Sequence, residues 1–299
     1  MTELINLDEC VINALNLYIA KGVPEWALKK FNRPLVVGSG NAQITGKILF
    51  EDCDAVVADE STYQRRLEQI PSIDGAVIIS ASGGKHAPIL AEDLKQRGIE
   101  PYLLTCKGDS PAAKVVGADR TIVFPSNEEP ITYNTSTYLG MLLSKTGEDP
   151  NKILWHISSA VKPGIDGIDF TQYDAFFLLV QPEFDAIREM FLTKFDELFQ
   201  PVVSGRCFTV DQTIHAKTVI PSPKEMFISF GYENNQFGDP SARLNIPLPA
   251  GANYGALMMA GYFVVGCIQA QHPPYFKENA SRYAQEQKRL FGLKEAGNL

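Results

Sequence analysis

Five short and almost wholly apolar runs, each followed by a stretch of helical spacing, limit what residues 34–145 can build. The runs are Leu35–Val37, Asp54–Ala58, Ala76–Ile79, Tyr102–Leu104 and Thr121–Phe124. Helical patterns fit between most of them, at 43–51, 63–69, 90–97 and 112–116, with a final one over Ile131–Leu143. A strand with one wet face alternates apolar and polar residues. A strand that is apolar throughout is covered on both faces, as in parallel sheets flanked by helices. The alternation therefore predicts an α/β fold around a parallel sheet with helices on both faces. Residues 8–30 have apolar positions at helical spacing and read as one or two leading helices.

A polar, turn-rich stretch, Ser144–Asn151, marks a boundary and divides the chain into domains 1–150 and 151–299. A shorter alternation follows. Strands are expected at Ala175–Val180, Cys207–Val210, Met226–Phe230 and Arg243–Pro247, and helices at Pro182–Leu198, Asp211–Lys217 and Gly251–Gln269. The polar loop Gly231–Ala242 stands where a further strand–helix unit would be expected. The second half thus repeats the element order of the first in abbreviated form, without a repeat of residues. The tail, Pro273–Leu299, is polar and helix-prone.

In open parallel sheets, ligands bind beyond the carboxyl ends of the strands. Three turns lie there: Gly38-Ser39-Gly40-Asn41, Ser80-Ala81-Ser82-Gly83-Gly84-Lys85, and Thr105. Small hydroxyl residues and glycines at a strand-to-helix junction let backbone N–H groups point outward, and a helix N-terminus adds partial positive charge. Both favour an anion, most often a phosphate. The first turn lacks the complete G-x-G-x-x-G spacing of a dinucleotide site.

Composition narrows the partners. A net charge of −8 argues against a nucleic-acid surface. No apolar run approaches the roughly 20 residues that cross a bilayer, so no membrane contact is expected. The start, Met1-Thr2-Glu3-Leu4, lacks the basic-then-apolar order of a secretory signal. Five scattered cysteines without a CxxC fit reduced core thiols and a cytoplasmic location. Four histidines without ligand spacing give no metal signal.

Three blocks together resemble the sugar isomerase (SIS) family in its two-domain phosphosugar isomerase form. The likeness is to the isomerase half of glucosamine-6-phosphate synthase and to fructosamine-phosphate deglycases. Gly38-Ser39-Gly40-Asn41-Ala42 is similar to the family's first Gly/Ser turn. Ser80–Lys85 is similar to its Ser-x-Ser-Gly-x-Thr phosphate loop, with Lys85 where the family has Thr. Glu129-Pro130-Ile131-Thr132-Tyr133-Asn134-Thr135 is similar to the segment in which a Glu precedes a Ser/Thr by six residues. The resemblance covers 34–145 clearly and 174–270 more loosely. It implies two flavodoxin-like SIS domains, the second shortened.

It also implies roles for single residues. Gly40, Asn41, Ser80, Ser82, Gly83, Lys85, Glu129 and Thr135 would bind the phosphosugar, with His86 as a further candidate. Lys194-Phe195-Asp196-Glu197 resembles the family's Lys-x-x-Glu, in which the Glu moves a proton between C1 and C2. His215 resembles the His that assists ring opening, commonly supplied by a neighbouring subunit, so a homodimer or higher homo-oligomer is expected. Lys194 would stabilise the enediolate oxygen. No cofactor or metal is required. The family's C-terminal tail with its active-site Lys is not recognisable.

The expected activity is phosphosugar aldose–ketose isomerisation or fructosamine-phosphate deglycation, both starting with proton abstraction beside the sugar carbonyl. The alternative is a non-catalytic phosphosugar-binding regulator. The chain shows neither a basic N-terminal helix-turn-helix nor a glutamine-hydrolysing domain. Simpler readings stand beside these. Glu197 lies at a charged helix end, Lys194 would by default be a surface lysine, and Glu129 could be an acid at a helix start. Phe191, Phe195 and Phe199 share a helix face and read as core.

Overall fold

The computed structural model describes residues 4–130, 132–216, 220–272 and 275–291. Ile131 and Lys217, at the ends of two expected helices, lie outside the described residues, as do the first three residues and 292–299. By its contacts the chain groups into two units, each built around one parallel sheet. One comprises Asn16–Asn127 and Ser136–Pro150; the other comprises the residues up to Leu15, Glu128–Thr135, and Asn151 onward. The division is interleaved, where the sequence suggested one cut at residue 150.

The first-sheet unit contains β1 (Pro34–Val37), α2 (Asn41–Leu49), β2 (Val56–Ala58), α3 (Tyr63–Gln69), β3 (Gly75–Ile79), α4 (His86–Gln96), β4 (Pro101–Thr105), α5 (Pro111–Val116) and β5 (Thr121–Val123). The strands are parallel in the order β2-β1-β3-β4-β5. Leu35, Val37, Ala76, Ile78 and Leu103 point to one face, where they pack with Tyr63, Leu90, Leu94 and Val116 of α3, α4 and α5. The alternate residues Val36 and Ile79 point to the other face and meet α2. There Gly46 brings the helix backbone close: a Cβ on it would lie 2.6 Å from Val36 Cγ1. Period-two burial on both faces accounts for the continuous apolar runs.

Helix α1 (Leu7–Lys21) is the sole helix over residues 8–30. It stops because Gly22 takes φ +78° and donates its N–H to the Tyr18 carbonyl, and Pro24 follows. Helix α6 (Thr135–Thr146) runs into the polar stretch expected to be a boundary.

The second-sheet unit holds α7 (Pro150–His156), α8 (Lys162–Ile165), β6 (Ala175–Val180), α9 (Arg188–Phe199), β7 (Ser204–Thr209), α10 (Val210–His215), β8 (Glu225–Phe230), β9 (Arg243–Ile246), α11 (Tyr254–Gln271) and α12 (Tyr275–Phe291). Its four strands are parallel in the order β7-β6-β8-β9. The helix expected over 182–198 is split: a 3-10 turn, Pro182–Ile187, precedes α9. Phe184 leaves helical geometry there and packs edge-on to Tyr254, with ring centroids 5.3 Å apart.

Phe191, Phe195 and Phe199 are buried, as a core stripe should be. They face β6, β8 and α11: Phe195 stacks on Phe176 at 6.0 Å and Phe191 on Phe230 at 5.9 Å. On the opposite face Phe177, Leu179 and Phe227 form a cluster with Phe208 and Phe237. Phe237 belongs to the 231–242 loop. That loop takes the covering role of the missing strand–helix unit.

Buried Gln269 explains why two distant segments join this unit. Its Oε1 accepts the Leu7 N–H at 2.9 Å, and its Nε2 donates to the Tyr133 hydroxyl at 2.9 Å. Tyr133 in turn donates to the Ile5 carbonyl at 3.1 Å. A buried amide needs all its partners, so α11 holds both segments together.

Candidate functional site

Chain order in the first sheet reverses direction at β1 and β3, which lie side by side while their successors β2 and β4 go to opposite sides. This is the topological switch point, where open α/β sheets take ligands. The two loops flanking it are the two Gly/Ser turns. In the first, Gly38 lies under the start of α2: a Cβ would fall 2.7 Å from the Ala42 carbonyl carbon and the Gln43 nitrogen. Gly40 has φ +55°, and α2 starts without a side-chain cap. Ser39 is held by the Glu60 carboxylate, to which its hydroxyl donates. Asn41 is 8% exposed, and its Oδ1 has no hydrogen-bond partner.

The second turn is tied back by its carbonyls. The Ala81 oxygen accepts from Cys106 N at 3.0 Å and from Thr105 Oγ1 at 2.9 Å, and the Gly83 oxygen accepts from Ala112 N at 3.0 Å. In a trans peptide the N–H points opposite the carbonyl. The Ser82 and Gly84 amides are therefore aimed away from the β4–α5 connection. Ser80 Oγ accepts from Gly83 N at 3.2 Å and Ser82 Oγ from Gly84 N at 3.3 Å, which pre-orients both hydroxyls.

Gly83 has φ +59°, and a Cβ there would overlap the Ser110 hydroxyl. Lys85 takes φ +48°, and α4 also starts without a side-chain cap. Ser82, Lys85 and His86 are exposed. Two uncapped helix starts, oriented amides, two hydroxyls and a lysine are groups of the kind that favour an anion.

The other named residues lie in the second-sheet unit. Glu129 and Thr135 meet, but as a cap: Glu129 Oε2 accepts the Thr135 N–H at 3.0 Å. The Thr135 hydroxyl is fully buried without a hydrogen-bond partner. Lys194 is not the surface lysine that helix ends usually carry. Its side chain is 0% exposed. Its ammonium donates to the Thr132 carbonyl and, at 2.7 Å, to Glu197 Oε2, and lies 5.6 Å from the centre of the Tyr262 ring. A lysine this deep must be paired, and the pair fixes the Glu197 carboxylate. His215 is exposed at the end of α10.

Glu197 lines a cavity of about 330 Å³ together with Thr132 and residues of α12, among them Tyr275, Asn279 and Arg282. Sequence reasoning missed these α12 residues. The available signal was their spacing: Tyr275, Asn279, Arg282 and Glu286 recur at one face of a helix. A larger cavity, about 580 Å³, lies where α1 starts and α11 ends, and contains none of the motif residues. Among the described residues, no group of three or more His, Cys, Asp or Glu could hold a metal ion, and no helix is long and apolar enough to cross a membrane.

Solved structures share this fold. The C-terminal domain of glucosamine-fructose-6-phosphate aminotransferase from Francisella tularensis matches with a TM-score of 0.61 at 13% identity, over 88% of this chain and 92% of that one. The chain has the fold of the sugar isomerase proteins. Tagatose-6-phosphate ketose/aldose isomerase from Escherichia coli gives 0.60 at 10% identity, over 91% and 92% of the two chains. Glucosamine-6-phosphate deaminase from Thermotoga maritima gives 0.54 at 15% identity, over 92% of each. No family model matches the chain, and neither does any curated protein. Within this SIS fold the second sheet is the smaller, with four strands against five.

Proposed function

We propose that the protein binds a phosphorylated sugar and shifts a proton between its C1 and C2, as an aldose–ketose isomerase. The observation that carries this reading is Glu197: a carboxylate held by a fully buried lysine and opening on a cavity. Within the first-sheet unit, the turn Ser80–Lys85 carries groups suited to a phosphate. The sugar-phosphate activities named for proteins of the same fold support the assignment.

In the proposed reaction Glu197 takes the proton from the carbon beside the carbonyl, and the electron pair moves onto the carbonyl oxygen. A proton passes between the two oxygens of the resulting enediol(ate), and the same carboxyl group then reprotonates the neighbouring carbon. Lys194 keeps the carboxylate oriented between the two transfers. His215, from a second copy of the chain in a homodimer, relays the ring proton when the cyclic form opens. Cleavage of a fructosamine phosphate would begin with the same abstraction.

A thermal-shift screen of sugar phosphates identifies the ligand, because one that binds the folded state raises its melting temperature. Glu197→Gln should then lower turnover by about 10²–10⁴-fold, the range for a lost general base, while binding stays within about threefold. Loss of both, or of neither, counts against the assignment.

A further inference from the structure

We propose that Arg282 of α12 is a catalytic residue: its guanidinium meets the negative charge that develops on the substrate's oxygen when Glu197 removes the proton. The inference rests on Glu197 being the base. Lys194 is paired with Glu197, but its ammonium is buried among partners of its own. It donates to the Thr132 carbonyl and to Glu197 Oε2 at 2.7 Å, and the Tyr262 ring lies over it with its centre at 5.6 Å. With the side chain 0% exposed, that ammonium is sealed from solvent.

Among the described residues, the cavity beside Glu197 has one positive side chain on its wall, Arg282. Its volume, about 330 Å³, lies at the lower end of the range that holds small ligands. Helix α12 is anchored by Phe276 and Ala280, both buried, with the Phe276 ring 5.8 Å from Tyr133. A helix that merely covered apolar surface would line the cavity with apolar side chains. This one adds Asn279, Arg282 and Glu286 to the aromatic Tyr275, Phe276 and Tyr283. A planar guanidinium offers paired donors matched to two adjacent oxygens, as an enediolate carries.

The step balances without any co-reactant. The C–H bond breaks, its proton goes to the Glu197 carboxylate, and its electron pair becomes the C1–C2 double bond. The carbonyl π pair moves to oxygen, where Arg282 donates hydrogen bonds. The neighbouring hydroxyl passes its proton to the enolate oxygen; the proton held by Glu197 then goes to the former carbonyl carbon, and the pair left on the other oxygen forms the new carbonyl. Donors aimed at charge that exists only in the transition state raise kcat more than they lower KM.

The test follows solvent deuterium exchange into glucose, fructose and glucosamine 6-phosphates by NMR, using the full chain. Arg282→Gln should slow exchange by about 10²–10³-fold, as for loss of one transition-state donor, with KM changed less than about threefold. Arg282→Lys should retain more activity than the Gln variant. Added guanidinium at millimolar concentration should restore part of the rate to Arg282→Ala, which a purely structural role would not allow. Arg282 is exposed, so all three variants should melt near the wild-type temperature. Exchange by the wild type with an unchanged Arg282→Gln rate overturns the role of Arg282 and leaves Glu197 standing. Exchange that survives in Glu197→Gln, or a wild type inert to all three sugars, removes the base and this inference with it.

Discussion

Asn41 carries a buried amide oxygen that no protein group satisfies. The atom sits at the head of an uncapped helix beside the switch point. Such an atom costs about 1–3 kcal/mol relative to a solvated one, and natural proteins keep few of them. A sugar hydroxyl or ammonium would complete it. Asn41→Leu should therefore melt no lower than wild type while weakening sugar-phosphate binding at least tenfold, compared by thermal denaturation and calorimetric titration. A variant that both unfolds easily and binds normally would show Asn41 to be structural. The sequence marked Asn41 only as part of a Gly/Ser turn, because burial of a single amide depends on what packs over it. Lys194 makes the same point in reverse: Lys-x-x-Glu spacing put two charges one turn apart, but only the folded unit shows that one is sealed in and the other left open.

At the level of elements, the replacement of a strand–helix unit by the loop at 231–242 is the largest departure from a full second sheet. The loop covers the sheet through Phe237 and through Gly238, whose φ is +75° and whose Cβ, if present, would overlap the Phe227 ring. Gly238→Ala should lower stability by about 1–3 kcal/mol, combining left-handed strain with overpacking. Gly251 has nearly the same φ, +74°, but nothing within 4 Å of its Cβ position, so Gly251→Ala should lose only about 1 kcal/mol. Urea midpoints of the two variants compare the terms directly; equal losses would mean that the loop does not press on Phe227. Strand positions were legible in the sequence because continuous apolar runs have few alternatives. The split ahead of α9 was not, since Phe184 leaves the helix to reach Tyr254, a contact across 70 residues.

Over the whole molecule the five cysteines are free thiols, and Cys10 and Cys207 are buried. Burial pushes the thiols of Cys10 and Cys207 well above the ordinary range and that of Cys267 up to about 12. At pH 8 an aromatic disulfide reagent should therefore label Cys10, Cys207 and Cys267 slowly, and all five thiols after denaturation. Fast reaction of any of those three would contradict this packing. The linkage has a definite sign. An unfolded cysteine ionises near pH 8.5, whereas these three stay neutral in the native state. The stability they contribute is complete below that pH and is lost as pH rises toward the folded values, so the melting temperature should fall increasingly between about pH 9 and 12. Cys267→Ala should flatten that fall.

The sequence by itself determined the parallel α/β architecture, the places of its strands and the two loops beyond β1 and β3, because period-two burial and Gly/Ser turn chemistry are local properties. Tertiary structure alone decided which strands adjoin at the switch point and which segments Gln269 gathers into the second-sheet unit. It also decided that Lys194 is buried and that α12 lines the cavity at Glu197. Each of these depends on residues far apart in the chain meeting in space, and no local pattern encodes that.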